Sequence, residues 1–277
     1  MPLLRKFATA KRMIATEGAT ATLRFTGERI GRRVREAILG PPPPVWRKFH
    51  LMNELAGFHG YRSVLEISTA SSGFTFDQLD RSRFEVCHRL SYLTADDWTD
   101  GAPIDFRTRS RDTAECVRQI QAQGLRYDIV FIDACHEYGS TRRDMQDAFD
   151  LVTENGIVVL HDCLPPGEIY CAPTRGDAVD WCGVTYKAYL DVLLERDDLW
   201  FCTVDTDVGC GMIRSNRKAR LYRRAADGDK TCLRAWREAG NDYKATYRLY
   251  ENNRAALMNV VTVNKFLAAE RKAGLAS

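Results

Sequence analysis

The sequence predicts an α/β protein built on a mostly parallel sheet. Two short apolar runs, residues 129–132 and 157–160, are rich in β-branched side chains and have the length of strands buried on both faces. Between them, residues 140–152 place apolar side chains at helical spacing, and Asn155-Gly156 is typical of a turn. A strand–helix–strand unit of this kind joins parallel neighbours, so we expect both strands to end at the same edge of the sheet.

The same signals predict the remaining elements. Further buried strands are expected at residues 63–67, 84–88 and 104–108, and helices at residues 46–58, 113–123 and 181–194. Residues 199–204 and 209–213 are apolar and are separated by an acidic turn, which predicts an antiparallel hairpin at the edge of the sheet.

The chain divides into three parts. Gly40 is followed by four consecutive prolines, which neither a helix nor a strand can cross, so a boundary is predicted there. We expect a basic helical extension at residues 1–44, the main domain at residues 45–213 and a second basic helical extension at residues 214–277. The last part has no strand pattern.

Charge is segregated along the chain. Lys and Arg outnumber Asp and Glu by 8 in residues 1–48 and by 9 in residues 214–277, whereas acids exceed bases by 14 in between. The basic N-terminus has the pattern of a segment that either lies on a membrane surface or docks on the main domain, and the sequence leaves both open. Basic ends can also contact an acidic polymer or form solvated helix faces. We do not expect nucleic acid as the partner.

The sequence has no pattern of a membrane helix or a signal peptide, which predicts a cytoplasmic protein. No apolar run approaches the roughly 20 residues of a membrane helix, and the N-terminus lacks the apolar segment of a signal peptide. The nine cysteines are odd in number and include no C-x-x-C pair, so we interpret them as reduced thiols. A zinc site formed by Cys163, Cys171 and Cys182 is the alternative.

Acids and histidines lie at the predicted strand ends. Glu66 closes one strand and is followed by the small residues 68–73, a pattern that brings backbone N–H groups to a ligand. Asp133 and Asp162 follow the two strands of the central unit, with His136 and His161 beside them. Imidazole titrates near neutral pH, so either histidine could take a proton from a substrate.

Four motifs resemble those of the class I S-adenosylmethionine-dependent methyltransferases. They are VLEISTASSG (64–73), YDIVFIDACHEY (127–138), NGIVVLHDCLPPG (155–167) and TVDTDVGCGMI (203–213). The resemblance covers residues 45–213 and implies a Rossmann-like, seven-stranded sheet closed by a hairpin. The second and third motifs are similar to a bacterial group that modifies sugars, polysaccharides and natural products, and in kind to catechol O-methyltransferase. The implied reaction is O-methylation of a sugar, a glycan or another small molecule.

The resemblance also implies roles for individual residues. S-adenosylmethionine would be bound by residues at the ends of the first, third and fourth strands: Glu66, Ser68, Thr69, Ser71, Ser72, Gly73, Ser110 and Asp133. Asp133 and Asp162 would hold Mg²⁺, although Cys163 stands where an asparagine is expected and a thiol is a poor ligand for a hard cation. The competing prediction is a metal-free site with Asp133 and His136 in catalysis, His136 as the base and His161 as the second choice.

The sequence departs from the family pattern on the cofactor side. Ser68 and Ala70 stand at two glycine-like places, and the second strand lacks the usual terminal acid, for which Asp96 or Asp97 could substitute. The alternative function is therefore a non-catalytic binding or scaffold protein that keeps the fold and engages an anionic partner through its basic ends. The sequence identifies neither the acceptor nor the oligomeric state.

Overall fold

The computed structural model describes residues 45–69, 74–92, 104–175 and 181–275. The predicted N-terminal extension, the proline boundary, Ala70, Asp96 and Asp97 lie outside these ranges. Residues Trp46–Ser277 form one compact unit. Within the described part of the chain, no helix is both long and apolar enough to span a bilayer.

Eight strands and eight α-helices are defined in the described residues. The strands are β1 Ser63–Thr69, β2 Val86–Tyr92, β3 Phe106–Arg107, β4 Tyr127–Asp133, β5 Val152–Leu160, β6 Trp200–Val204, β7 Cys210–Arg214 and β8 Val260–Val261. The helices are α1 Lys48–His59, α2 Phe74–Asp77, α3 Ala114–Ala122, α4 Tyr138–Leu151, α5 Thr185–Glu195, α6 Lys230–Ala239, α7 Tyr243–Leu257 and α8 Val263–Gly274. Short 3-10 turns occupy Arg81–Arg83, Glu168–Tyr170 and Ala225–Asp227.

All eight strands form one sheet in the order β3-β2-β1-β4-β5-β7-β6-β8. The first five are parallel to one another, while β7 runs antiparallel to both β5 and β6. The predicted α/β, Rossmann-like fold with a closing hairpin is confirmed. The strand order reverses direction between β1 and β4, which is the point where open α/β sheets bind ligands.

The sheet has one strand more than the seven predicted. Val260–Val261 pairs in parallel with Thr203 and Val204 of β6, so the region after residue 213 contributes to the sheet as well as adding helices. A two-residue strand has too little alternation to be distinguished by sequence pattern. The predicted turn at Asn155-Gly156 is also wrong, because β5 begins at Val152 and runs through both residues beside an irregular register with β4.

The central strands are apolar because helices cover both faces of the sheet. Val64 of β1 faces the cluster that contains α1 and α8, whereas Leu65 and Ile67 face the cluster formed with α3, α4 and α5. Each of these side chains is fully buried. Alternate positions on one strand therefore enter different cores, which explains the continuous apolar runs.

A buried ionic network ties the last helix to the first. Arg214 Nη2 donates to Glu270 Oε2 over 2.7 Å, and His59 Nε2, at the end of α1, lies 2.6 Å from the same oxygen. Arg214 Nη1 donates to the hydroxyl of Tyr61 over 2.6 Å. Arg214 and Glu270 are almost entirely buried, so each depends on the other for its counter-charge.

A buried carboxyl group lies on the opposite face, in α4. Tyr92 donates to Asp144 Oδ2 over 2.7 Å and accepts a hydrogen bond from the backbone N–H of Cys135. Burial raises the pKa of Asp144 from an ordinary 3.8 to about 7, against the opposing effect of the hydrogen bond from Tyr92. The folded protein therefore favours the protonated acid.

This shift predicts how stability depends on pH. The folded state binds the Asp144 proton more tightly than the unfolded state, so protonation of Asp144 stabilises the fold at low pH. This contribution to the free energy of unfolding is lost as the pH rises from 3.8 to about 7. Asp144→Asn carries a neutral side chain at every pH. Between pH 5 and pH 8 the wild type should lose about 2 kcal/mol of unfolding free energy relative to the variant, as measured by urea denaturation. Parallel pH dependence of the two proteins would contradict the assignment.

Candidate functional site

A cluster of acids and bases lies where β4 and β5 end. Ile132 and Leu160 are paired in register, and the N–H of His161 donates to the carbonyl of Ile132 over 3.0 Å. Asp133 and Asp162 therefore emerge side by side at the carboxyl edge, as the parallel arrangement requires. The structure brings all four residues predicted for the acceptor side together: Asp133, His136, His161 and Asp162.

His136 is fixed from both sides of its ring. Nδ1 lies 2.6 Å from the carbonyl oxygen of Trp181, to which it can only donate, so the lone pair of the neutral ring is on Nε2. Nε2 lies 3.0 Å from Asp162 Oδ2 and 3.6 Å from Asp133 Oδ1. With 19% of its side chain exposed, His136 is the most accessible member of the cluster.

His161 lies deeper, between three carboxylates. Nδ1 is 3.5 Å from Asp133 Oδ1 and 3.3 Å from Asp162 Oδ2, while Nε2 is 3.8 Å from Asp207 Oδ2. Its side chain is 9% exposed. The predicted second base thus lies in the interior of the cluster, next to the acids.

Two members of the cluster were not predicted from the sequence. Lys48, the first residue of α1, places Nζ 2.7 Å from Asp133 Oδ2 and 3.4 Å from both ring nitrogens of His161. Asp207, in the turn between β6 and β7, accepts a hydrogen bond from the backbone N–H of Lys48 over 3.1 Å. Asp207 lies within a quoted motif, but Lys48 lies outside all four and is brought to the site only by the packing of α1.

The backbone around the cluster contains unusual conformations. Asp162 has φ 60°, Asp207 has φ 49° and Val208 has φ 62°. The left-handed region costs a non-glycine residue of order 1–3 kcal/mol, and it is particularly unfavourable for a β-branched side chain such as valine. The surrounding contacts therefore hold two of the acids in backbone conformations that they would not adopt alone.

The cluster shifts the pKa values of its members in opposite directions. Burial alone would raise the pKa of Asp133, but His161, His136 and Lys48 hold it well below its usual value. Burial would lower the pKa of His161, yet the carboxylates of Asp162 and Asp133 raise it to about 10. The pKa of His136 is raised as well, because Asp133 and Asp162 outweigh burial. Without a ligand the acids are ionised and His161 is positively charged at neutral pH.

The donor set fits a divalent cation. Asp133, His136 and Asp162 each offer a ligand atom, and these atoms lie within 4.8 Å of one another. Among the residues that the structure describes, this is the one group of at least three His, Cys, Asp or Glu side chains that meets that distance. The predicted zinc alternative at Cys163, Cys171 and Cys182 forms no such group. Cys163 is buried and its Sγ lies 3.3 Å from the carbonyl of Leu160, so its thiol does not complete the set.

The predicted cofactor side begins one strand away. Ser68 of β1 is the register partner of Asp133, and Thr69 ends the strand. Ser68 Oγ accepts a hydrogen bond from Arg89 Nε over 3.1 Å, and Arg89 Nε lies 3.5 Å from Glu66 Oε1. Burial raises the pKa of Glu66 to about 8, opposed by the charge of Arg89.

The other predicted cofactor contacts are only partly described. Ser71, Ser72 and Gly73 lie outside the described residues. Ser110 lies in the exposed turn after β3, where its Oγ accepts a hydrogen bond from the backbone N–H of Asp112 over 3.0 Å. Arg89, in the middle of β2, is paired in register with Glu66 and is fully buried.

Residues 53–163 match a family model described as a methyltransferase domain. No curated protein matches. Similar solved structures include an O-methyltransferase from Bacillus cereus in complex with S-adenosylhomocysteine. Its sequence is 16% identical, the alignment covers 74% of this chain and 96% of that chain, and the TM-score is 0.45. The O-methyltransferase TomG from Streptomyces achromogenes, involved in tomaymycin synthesis, is also 16% identical, with 66% and 86% covered and a TM-score of 0.45.

A third similar structure is that of MycE, a methyltransferase from the mycinamycin biosynthetic pathway, in complex with Mg, S-adenosylhomocysteine and mycinamycin VI. Its sequence is 16% identical, the alignment covers 76% of this chain and 64% of that chain, and the TM-score is 0.41. The family match begins within α1, ends at Cys163 and includes Asp133, His136 and Asp162. The match to a methyltransferase domain over residues 53–163 agrees with the resemblance drawn from the sequence motifs.

Proposed function

We propose that the protein transfers a methyl group from S-adenosylmethionine to a hydroxyl oxygen of a small molecule. The observation that carries this proposal is the register between Ser68 and Asp133, at the point where the strand order reverses. It brings the end of β1 beside the end of β4, where the acidic cluster begins. A methyl donor bound at the first and an acceptor bound at the second would meet at the carboxyl edge.

The chemistry needs alignment and a proton acceptor. As the acceptor oxygen forms its bond to the methyl carbon, the carbon–sulfur bond breaks, its electron pair returns to sulfur and the hydroxyl proton must leave. We assign that proton to Nε2 of His136, because Nδ1 is turned to the carbonyl of Trp181. Asp162 and Asp133 beside Nε2 would stabilise the imidazolium that results.

Access to this nitrogen requires a local movement. The ring of His136 is partly exposed, but Nε2 itself is enclosed by the cluster. An acceptor hydroxyl can reach it only if His136 and Asp162 move apart. The neighbouring segment 164–175 leaves from the same edge of the sheet, so it is well placed to contact the acceptor.

His161 supports the site without serving as the base. Its pKa of about 10 keeps the ring protonated at neutral pH, so it cannot accept a further proton. It instead supplies positive charge that keeps Asp133 and Asp162 ionised. In the metal-dependent alternative, Asp133, His136 and Asp162 would hold a divalent ion; Nε2 of His136 would then be a ligand rather than the base, and the ion would instead acidify the acceptor hydroxyl. The imidazole in this set favours Mn²⁺ over Mg²⁺ compared with an all-oxygen site.

For the acceptor we propose a sugar hydroxyl or a hydroxyl of a glycan or natural product. The second and third motifs, which resemble the group that modifies such molecules, support this class. No observation favours the alternative of a non-catalytic scaffold, and cofactor binding separates the two.

Calorimetric titration with S-adenosylhomocysteine tests the donor site. We expect a single site with micromolar affinity, since the cofactor would be held by the β1 loop and the end of β4. An absence of binding up to millimolar ligand would rule out the proposed enzyme. Binding would not by itself establish the acceptor, which the next experiment addresses.

His136→Gln should separate chemistry from cofactor binding. Removal of a general base typically costs about 10²–10⁴-fold in rate, so we expect turnover to fall by at least 100-fold. Affinity for S-adenosylhomocysteine should stay within about threefold of the wild type, because His136 faces the acceptor side. Turnover is followed as S-adenosylhomocysteine formation with the best acceptor from a panel of sugars and phenols.

The matched control is His88→Gln. His88 lies in β2 and contacts the hydroxyl of Tyr127, away from the cluster, so its replacement should leave turnover within a few-fold of the wild type. If His136→Gln retained full turnover, or if both variants lost it equally, the assignment of His136 as the proton acceptor would be wrong.

A further inference from the structure

Lys48 is anchored at the cluster by its backbone as well as by its side chain. Its N–H donates to Asp207 Oδ2 over 3.1 Å, and the carbonyl of Trp46, two residues earlier, accepts a hydrogen bond from Thr206 Oγ1 over 2.5 Å. Asp207 and Val208, which form this turn, have left-handed backbones. The β6–β7 turn thus holds the first residue of α1 at the carboxyl edge of the sheet.

The ammonium of Lys48 binds the Oδ2 oxygen of Asp133. Nζ lies 2.7 Å from Asp133 Oδ2 and 3.4 Å from each ring nitrogen of His161, and it lies 5.9 Å from the centre of the Phe131 ring. Only 13% of the side chain is exposed. Asp133 is fully engaged as a result, with Oδ2 on Lys48 and Oδ1 facing His136 and His161.

Basic side chains already face every carboxylate of the cluster. Three carboxylates, those of Asp133, Asp162 and Asp207, face three basic side chains, those of Lys48, His136 and His161. A divalent ion at Asp133, His136 and Asp162 would need a carboxylate oxygen of Asp133, and it would lie within a few ångströms of the ammonium. Two cations at that separation in a buried site repel each other strongly.

We propose that the ammonium of Lys48 and a divalent metal ion are alternative occupants of Asp133, so that metal binding requires Lys48 to withdraw. Lys48 is then a positioning residue that sets the metal affinity of the methyl-transfer site. The inference rests on the proposed function because it uses the same acidic cluster. Its test needs neither cofactor nor acceptor, so the two proposals can fail separately.

Titration with Mn²⁺ alone, followed by electron paramagnetic resonance of the free ion, measures the effect. Lys48→Met removes the charge and keeps the length of the side chain, so we expect it to bind Mn²⁺ at least tenfold more tightly than the wild type. Lys48→Arg retains the charge and should bind no more tightly than the wild type. Equal affinity of Lys48→Met and the wild type, or no binding to Lys48→Met at millimolar Mn²⁺, would overturn the proposal.

The matched control is a second buried lysine with an aspartate partner. Lys187 of α5 pairs with Asp191 and is only 3% exposed, but it lies outside the cluster. Lys187→Met should therefore bind Mn²⁺ with wild-type affinity. An equal gain in Lys187→Met would show that loss of any buried ammonium produces the effect, and the proposal would be wrong.

Chemical labelling of the wild type avoids any problem with folding of a variant. Reductive methylation with formaldehyde and a borohydride, read by mass spectrometry of the peptides, reports the accessibility of each lysine. Saturating Mn²⁺ should increase modification of Lys48 several-fold and leave that of Lys187 unchanged. If labelling of Lys48 is unchanged or falls when Mn²⁺ binds, the two cations are not exclusive.

Discussion

Three carboxylates at one edge of the sheet can be buried within a few ångströms of one another only because basic side chains lie among them. Asp133, Asp162 and Asp207 would otherwise repel, and at least one would become protonated. His161 and Lys48 bind into the interior of this group, and the pKa of Asp133 falls accordingly. The charge state of the proposed acceptor site is therefore a property of the whole cluster, to which β4, β5, α1 and the β6–β7 turn all contribute.

This dependence connects distant parts of the chain to the proposed chemistry. Asp133 and Asp162 come from the central strand–helix–strand unit, whereas Asp207 comes from the hairpin and Lys48 from the first described helix. The quoted motifs supply the strand ends, but elements outside the matched residues 53–163 supply two of the six ionisable side chains.

Sequence reasoning succeeded where position along a strand determines position in space. Asp133, His136 and Asp162 follow two buried parallel strands, and parallel neighbours must end at a common edge, so their proximity could be predicted. Lys48 could not be predicted in the same way, because a lysine at the start of a helix is usually solvent-exposed and only tertiary packing places it here. The Asn155-Gly156 turn failed because both residues lie within β5, at an irregularity in its register with β4, where their carbonyls accept hydrogen bonds from Tyr61 and Arg214.

The cofactor side was also only partly predictable from the sequence. The absence of an acid at the predicted end of β2 was visible in the sequence, but the basic side chain that lies beside Glu66 was not. Arg89 is buried beside Glu66 and Ser68, and no sequence pattern indicates this contact. A short strand such as β8 was also missed, since two residues carry no periodicity.

The ionic network of Arg214, Glu270 and His59 has a consequence for the smallest chain that can support this site. Helix α1 carries Lys48 at one end and His59 at the other, and α8, near the end of the sequence, is held against the His59 end by Glu270. A truncated protein ending after the hairpin would retain every quoted motif. It would nevertheless remove the counter-ion and the cover of Arg214, and it would release the end of the helix that positions Lys48. The functional unit therefore extends well past the matched domain, into the last helix.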